Sequence, residues 1–436
     1  MAAPTPQGQT LAYSDTLLGA TTRPAAGAVD ATALAVTQVA GAAAPGAIPR
    51  PAAASRTTVL PRIEGEGPGS VAFHLEAKNR YEPIKLLGKG GMGEVVLVED
   101  QDIARKVAVK RLLPELEHPA LLARFVDEIR TVGRLEHPNI VPIHDVGVDE
   151  LGRYFFVMKY VEGETLETVI EKLAAGDPDY HARYTFERRV EIFVALLRAL
   201  EYAHDRGIVH RDIKPANVMI GRFGEVLLMD WGIAKPLDAP RDIAATLEGA
   251  AVDDGQNKSR AFATRIGSII GTPAYMAPEQ ARGESHKVDA RSDLYSACVL
   301  FHELVGLRHY LADSPTVDAM LASVRDKEQT FWELWSARNP EFGAPPAELM
   351  HVAHEGMFHD ASRRYGSAAA IIDRLQIIRE GRIPVQCPFT FTKRVSRETS
   401  RFVDRFPVIS AGLLFCLFGA ILLALVIVVR GALLHA

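Results

Sequence analysis

With 436 residues, 48% of them hydrophobic and 24% charged, the chain has room for two or three units, at least one of them with a large core. A formal net charge of −5 gives no global basic signal and argues against a nucleic-acid partner. Cys298, Cys387 and Cys416 lie far apart with no metal-ligand or redox spacing, which fits buried thiols in a reducing compartment. The first residues lack the charged-then-apolar layout of a signal peptide.

Residues 1–75 are rich in Ala, Pro, Thr and Gly and show no sustained period. Such a stretch buries too little apolar surface to offset chain entropy, so it is expected to be a disordered tail. Its hydroxyls at Ser14, Thr16, Ser55, Thr57 and Thr58 are either linker residues or acceptors whose phosphorylation would dock a phosphopeptide-binding partner. From Tyr81 the composition changes. Tyr81 to Leu87, Val95 to Val98 and Lys106 to Lys110 read as strands separated by turns. Between the first two lies Gly88-Lys89-Gly90-Gly91-Met92-Gly93-Glu94-Val95. A dinucleotide-binding turn would need these glycines to open a helix. Strand-like runs on both sides favour a hairpin instead, with its backbone lying over nucleotide phosphates where side chains would obstruct approach.

Leu122, Phe125, Ile129 and Val132 share one face, so Leu121 to Leu135 is predicted to be a helix, with Glu128 beside that face. Tyr154 to Met158 is a further strand, and Phe186 to Asp205 a long amphipathic helix marked by Ile192, Leu196, Leu200 and Ala203. That helix leads into His210-Arg211-Asp212-Ile213-Lys214-Pro215-Ala216-Asn217, and the apolar run Val226 to Met229 carries Asp230-Trp231-Gly232. Phosphoryl transfer needs such a set: a carboxylate for the incoming hydroxyl, a cation on the moving phosphoryl, and hard oxygen ligands for Mg²⁺.

On the loop motif, the glycine-rich turn and Val107-Ala108-Val109-Lys110, the chain resembles the bacterial eukaryotic-like Ser/Thr protein kinases over about Tyr81 to Arg379. The resemblance implies an α+β, bilobal protein kinase fold, with a β-rich N-lobe over about 81–161 and a helical C-lobe over about 162–379. It implies ATP with Mg²⁺ or Mn²⁺ as cofactors and Ser/Thr side chains of proteins as substrates. Asp212, Lys214 and Asn217 become the catalytic loop residues, and Asn217 and Asp230 the metal ligands. Residues Gly88 to Val95 cover the nucleotide. Lys110 positions it and pairs with Glu128, with Asp127 as the neighbour to rule out. Met158 stands at the back of the adenine pocket, Lys159, Tyr160 and Val161 form the hinge, and Val98 and Ala108 give apolar contact above the base.

The same resemblance makes Asp230 to Glu279 the activation segment, lengthened here by residues 237–262, either a surface loop or a regulatory insertion. Arg211 is expected to meet a phosphorylated residue, with Thr264 ahead of Ser268, while Thr272 and Lys214 argue for Ser/Thr rather than Tyr substrates. Asp293 is expected to brace the catalytic loop, and Arg364 rather than Arg363 to pair with Glu279. Trp231 stands where the family usually has Phe, which implies altered tuning of active and inactive states without loss of catalysis. His351-x-x-His354-Glu355 does not match a zinc pattern with a third ligand.

Val408 to Val429 carries no charge and is long enough to span the ~30 Å hydrocarbon core of a bilayer. Lys393, Arg394, Arg397, Arg401 and Arg405 crowd its N-terminal flank and only Arg430 follows, which places that flank and the 81–379 unit in the cytoplasm and leaves 430–436 as a short external tail. Within the basic juxtamembrane segment 380–407, Arg394, Arg397, Arg401 and Arg405 would form a stripe if Thr392 to Phe406 is helical, and that stripe is expected to touch anionic lipid. A pseudokinase-type scaffold that binds nucleotide or phosphopeptide is the alternative from another class, and a small-molecule phosphotransferase a third. No motif indicates an oligomeric state.

Overall fold

The computed structural model describes residues 57–60, 62–64, 72–74, 78–89, 93–112, 119–231, 235–236 and 273–434. Residues 1–56, Gly90, Gly91, Met92, Thr264, Ser268, Thr272 and the 237–262 insertion lie outside them.

Five strands build one antiparallel sheet: β1 (Tyr81–Lys89), β2 (Gly93–Asp100), β3 (Arg105–Leu112), β4 (Ile143–Val148) and β5 (Tyr154–Lys159). Their order across the sheet is β1-β2-β3-β5-β4. The two-residue period of a strand sorts the side chains to two faces. Val96, Val98, Val107, Val109, Phe155 and Val157 bury one another on the outer face. On the inner face Leu112 and Phe156 pack with Phe125 of helix α1 (Pro119–Val132). The helix ends three residues short of Leu135, because Arg134 and Leu135 donate to the carbonyls of Thr131 and Val132, which tightens the chain into a turn.

The helical half begins with β6 (Gly163–Thr165) and α2 (Leu166–Ala174), and continues with α3 (Phe186–Asp205). Next come β7 (Val218–Gly221) and β8 (Val226–Leu228), which join β6 in a sheet of order β8-β7-β6. Helices α4 (Ala290–Gly306), α5 (Ala347–Gly356) and α6 (Ala368–Arg379) complete the core. The Thr185 side chain caps α3 by accepting from the Arg188 N–H, and Ile192, Phe193, Leu196 and Leu200 are fully buried. Phe193 stacks on Phe301 of α4 with ring centroids 4.1 Å apart. Gly356 lets α5 close on α4, since a Cβ there would come within 2.1 Å of the Cys298 sulfur.

One feature differs from the sequence expectation. Within the stretch read as a disordered tail, Arg62–Glu64 pairs with Ala72–His74, and the Val59 and Leu60 N–H groups donate to Asp102 Oδ1 at 2.8 and 3.0 Å. Strands of three residues are too short to show a period. The C-terminal segment forms two helices, α7 (Pro388–Arg405) and α8 (Pro407–Leu434), broken at Phe406. Within α8, Pro407–Ala424 has a mean hydropathy of 2.4 and is only 6% buried.

Candidate active site

The catalytic loop holds a backbone that its sequence would not choose. Arg211 (φ 71°) lies in the left-handed region, which is costly for side chains other than Gly, Asn or Asp, and Asp230 (φ 62°), of a type that tolerates it, lies there too. Asp293, on α4 and 1% exposed, supplies the restraint. Its Oδ1 accepts from the Arg211 N–H at 2.8 Å, and its Oδ2 from the His210 N–H and from His204 Nε2, each at 2.8 Å. Gln280 Nε2 donates to the Arg211 carbonyl at 3.0 Å. Burial pushes the Asp293 carboxyl up, but His204 and these donors outweigh it and hold the group below the usual carboxylate range.

Past this bend, Lys214 Nζ lies 2.8 Å from Asp212 Oδ2. The Asn217 amide donates both to Asp212 Oδ2 (3.1 Å) and to the Asp212 carbonyl (2.8 Å). Two consequences follow for the free oxygens. Asp212 Oδ1 accepts no hydrogen bond among the described residues, and Asn217 has its amide nitrogen committed, which leaves its oxygen as a neutral hard ligand. The Asn217 carbonyl accepts from the Met229 N–H at 2.9 Å, and this pairing of β7 with β8 sets Asp230 beside the loop.

Lys110 joins the two halves. Its Nζ is 2.6 Å from Glu128 Oε1 and 3.0 Å from Asp230 Oδ1. Burial alone would lower the lysine's pKa, but the two carboxylates outweigh it and keep the ammonium charged. Lys110 in turn holds the Asp230 carboxyl below its ordinary range, so it is ionised, and about 45% of that side chain remains accessible. An accessible anionic carboxylate beside a carboxamide oxygen is a donor set that fits Mg²⁺. Glu128 is buried at 4% exposure, whereas Asp127 faces solvent.

Strand register decides what roofs the cleft. Directly opposed residues share a face, and Val95 opposes Lys110, Leu97 opposes Ala108, and Ala108 opposes Met158. The roof therefore consists of Val95, Leu97 and Ala108. Val98 is a correction: it opposes Val107 on the outer face and lines a cavity of about 270 Å³ there with Tyr81 and Phe155, away from the cleft. Below, Met158 packs with Val161, Leu227, Met219 and Met229. Met219, two residues beyond Asn217, and Leu97 carry no chemical signature, and only the register finds them. The Lys159 N–H donates to Pro142 O at 3.1 Å, and Tyr160 and Val161 continue the chain between the lobes. Gly88, Lys89, Gly93 and Glu94 stand at the mouth, with Gly88 paired to Val95 and Lys89 to Glu94. A Cβ on Gly93 would come within 2.4 Å of the Arg111 carbonyl, so this glycine is required by the neighbouring strand itself.

Trp231 is 1% exposed, with its ring 4.5 Å from His210. Its indole N–H has no partner among the described residues. Arg364 makes a two-pronged pair with Glu279 at 2.8 Å on each side, while Arg363 pairs with Glu328. His351 stacks on Phe331 at 3.8 Å, which is a packing role.

Comparison with known proteins agrees with this arrangement. The protein kinase domain family matches residues 81–374. The serine/threonine-protein kinase PknD of Protochlamydia amoebophila is 33% identical over 69% of this chain and 30% of its own length. The serine/threonine-protein kinase PknB of Mycolicibacterium smegmatis is 35% identical over 70% of this chain and 44% of its own. The chain thus spans less than half the length of these curated relatives. The match to the family covers every element that shapes the cleft, and the chain belongs to the protein kinase family.

Proposed function

We propose that the chain is an ATP-dependent Ser/Thr protein kinase, anchored in a membrane by α8 with its catalytic lobes on the cytoplasmic side. The carrying observation is the meeting of Lys110, Glu128 and Asp230 with Asp212, Lys214 and Asn217 in one cleft. ATP with Mg²⁺ supplies the γ-phosphoryl group and the neutralisation of its charge. Asp230 and Asn217 would hold the metal, Lys110 the α- and β-phosphates, and the Gly88 to Val95 turn would cover them. Asp212 Oδ1 accepts the proton of a substrate Ser or Thr hydroxyl. Lys214, on the other oxygen of that carboxylate, faces the transferring charge. Met158, Lys159, Tyr160 and Val161 would seat the base under Ala108.

Autophosphorylation is part of this reading, on Thr264 or Ser268 for control through Arg211, or on the N-terminal hydroxyls for docking a phosphopeptide reader. Membrane anchorage is supported by the apolar, unburied Pro407–Ala424 and by the positive charge before it. The test is the whole 436-residue chain in lipid vesicles with Mg²⁺ and ATP beside Asp212→Asn, with phosphosites mapped by mass spectrometry. Removal of the general base should cost ~10²–10⁴-fold in rate while nucleotide binding persists. Nucleotide binding with no phosphate on the chain or on a generic protein substrate would point to the scaffold instead.

A further inference from the structure

Helix α7 is strongly two-sided, and its two sides have different fates. One side is committed to the helical lobe. Lys393 Nζ pairs with Glu348 of α5 at 3.0 Å, Arg401 donates to the Glu380 carbonyl at 3.1 Å, and the Arg397 guanidinium lies against Gly381. Phe389 stacks on Trp335 with centroids 5.7 Å apart, and Thr390 is fully buried. Three members of the basic run therefore face protein, so the run is not a free lipid-facing stripe.

The other side carries Phe391, Val395 and Phe402, which are 55, 47 and 43% exposed, and Phe406 at the break lies against Phe402 with centroids 5.4 Å apart. At ~100° per residue Phe391, Val395 and Phe402 form a single stripe roughly opposite the lobe contacts. Arg394 and Arg405 run along one edge of that stripe, with Glu398 between them and paired to Arg394 at 3.5 Å. After the single break at Phe406 the chain enters α8, whose Pro407–Ala424 stretch is apolar and almost wholly uncovered.

We propose that α7 lies in the plane of an anionic lipid surface, with this stripe sunk into the headgroup–acyl boundary and the helical lobe seated on its opposite side. This rests on the reading of α8 as a membrane anchor. One continuous apolar medium then covers both the stripe and α8, and Arg394 and Arg405 meet lipid phosphates. A second copy of the chain fits less well. The stripe offers on the order of a few hundred Å², against roughly 800 Å² per partner in a stable protein interface.

The test uses the full chain with Cys387→Ser and Cys416→Ser, the buried Cys298 retained, in vesicles of phosphatidylcholine and phosphatidylglycerol. Single nitroxide labels are placed through Val395→Cys, Phe402→Cys, Ser400→Cys and, within α8, Leu417→Cys. Collisions with oxygen and with a water-soluble nickel chelate are then compared. Val395 and Phe402 should favour oxygen several-fold, as Leu417 does, while Ser400 favours nickel. Nickel-accessible labels at 395 and 402 with a lipid-buried 417 would overturn this inference and leave the anchor standing. A nickel-accessible 417 would overturn both. Spin–spin broadening at 395 and 402 that vanishes on dilution with unlabelled chain would assign the stripe to a second copy and overturn the lipid assignment.

Discussion

Asp293 shows how much one side chain can determine. Its two oxygens accept three donors, and two of those are the backbone N–H groups that fix the bend before Asp212. Asp293→Asn replaces one acceptor oxygen by a donor that would face a backbone N–H. Breaking a buried charged network of this kind costs ~3–5 kcal/mol, and the proposed phosphoryl transfer should fall with it. Chemical denaturation beside a nucleotide-binding measurement checks this, and an unchanged denaturation midpoint would refute it. Residues whose chemistry restricts their type were legible in the sequence: Asp212, Lys214, Asn217 and Asp230 are carboxylates, an ammonium and an amide for stated reasons. Glu128 was set apart from Asp127 by the match of Phe125-x-x-Glu128 to the family pattern, and the structure buries Glu128 while Asp127 faces solvent. Val98 was misread because Val95 to Val98 is an unbroken apolar run and only pairing shows that Val95 and Leu97, not Val98, point into the cleft.

At the scale of elements, the joint between the Ala277-Pro278-Glu279 segment and the lobe rests on the Arg364–Glu279 pair. Arg364 also donates to the carbonyls of Phe358 and His359, and Ser292 Oγ donates to the same carboxylate at 2.6 Å. Lysine cannot reproduce this planar, many-pronged contact. Arg364→Lys should lose a large part of the ~3–5 kcal/mol that a broken buried pair costs, seen as a lower melting temperature. Arg363→Lys, on an exposed pair, should change stability by less than ~1 kcal/mol. Helix α3 was legible to the residue, since its apolar period is local, and the Thr185 cap that the structure adds is local too. The docking of α7 was not legible: a basic stripe looks the same whether Glu348 and the Glu380 carbonyl or lipid lies opposite, and those acceptors arrive only through tertiary folding.

At the scale of the molecule, the two-lobe order could be read from strand-rich and helix-rich halves, and the buried histidines add a pH dependence that no motif announces. His302 is wholly buried, donates through Nε2 to the Leu334 carbonyl at 2.9 Å, and is pushed by burial from 6.5 to about 4. With its folded-state pKa depressed, the unfolded chain binds the proton first. The contribution to stability is therefore complete above about 6.5 and is lost as pH falls towards about 4. The melting temperature should drop across that window, and more steeply in the wild type than in His302→Gln.

The single residue between α7 and α8 has a mechanical consequence. A flexible leash of n residues lets its ends wander by roughly 5–6 Å × √n and absorbs any turning of one end before it reaches the other. Here Phe406 alone separates a helix clamped on the lobe through Lys393, Phe389 and Arg401 from the long apolar helix beyond it. Rotation or tilt of α8 is therefore delivered to the catalytic lobe as torque, with almost no slack in the transmission.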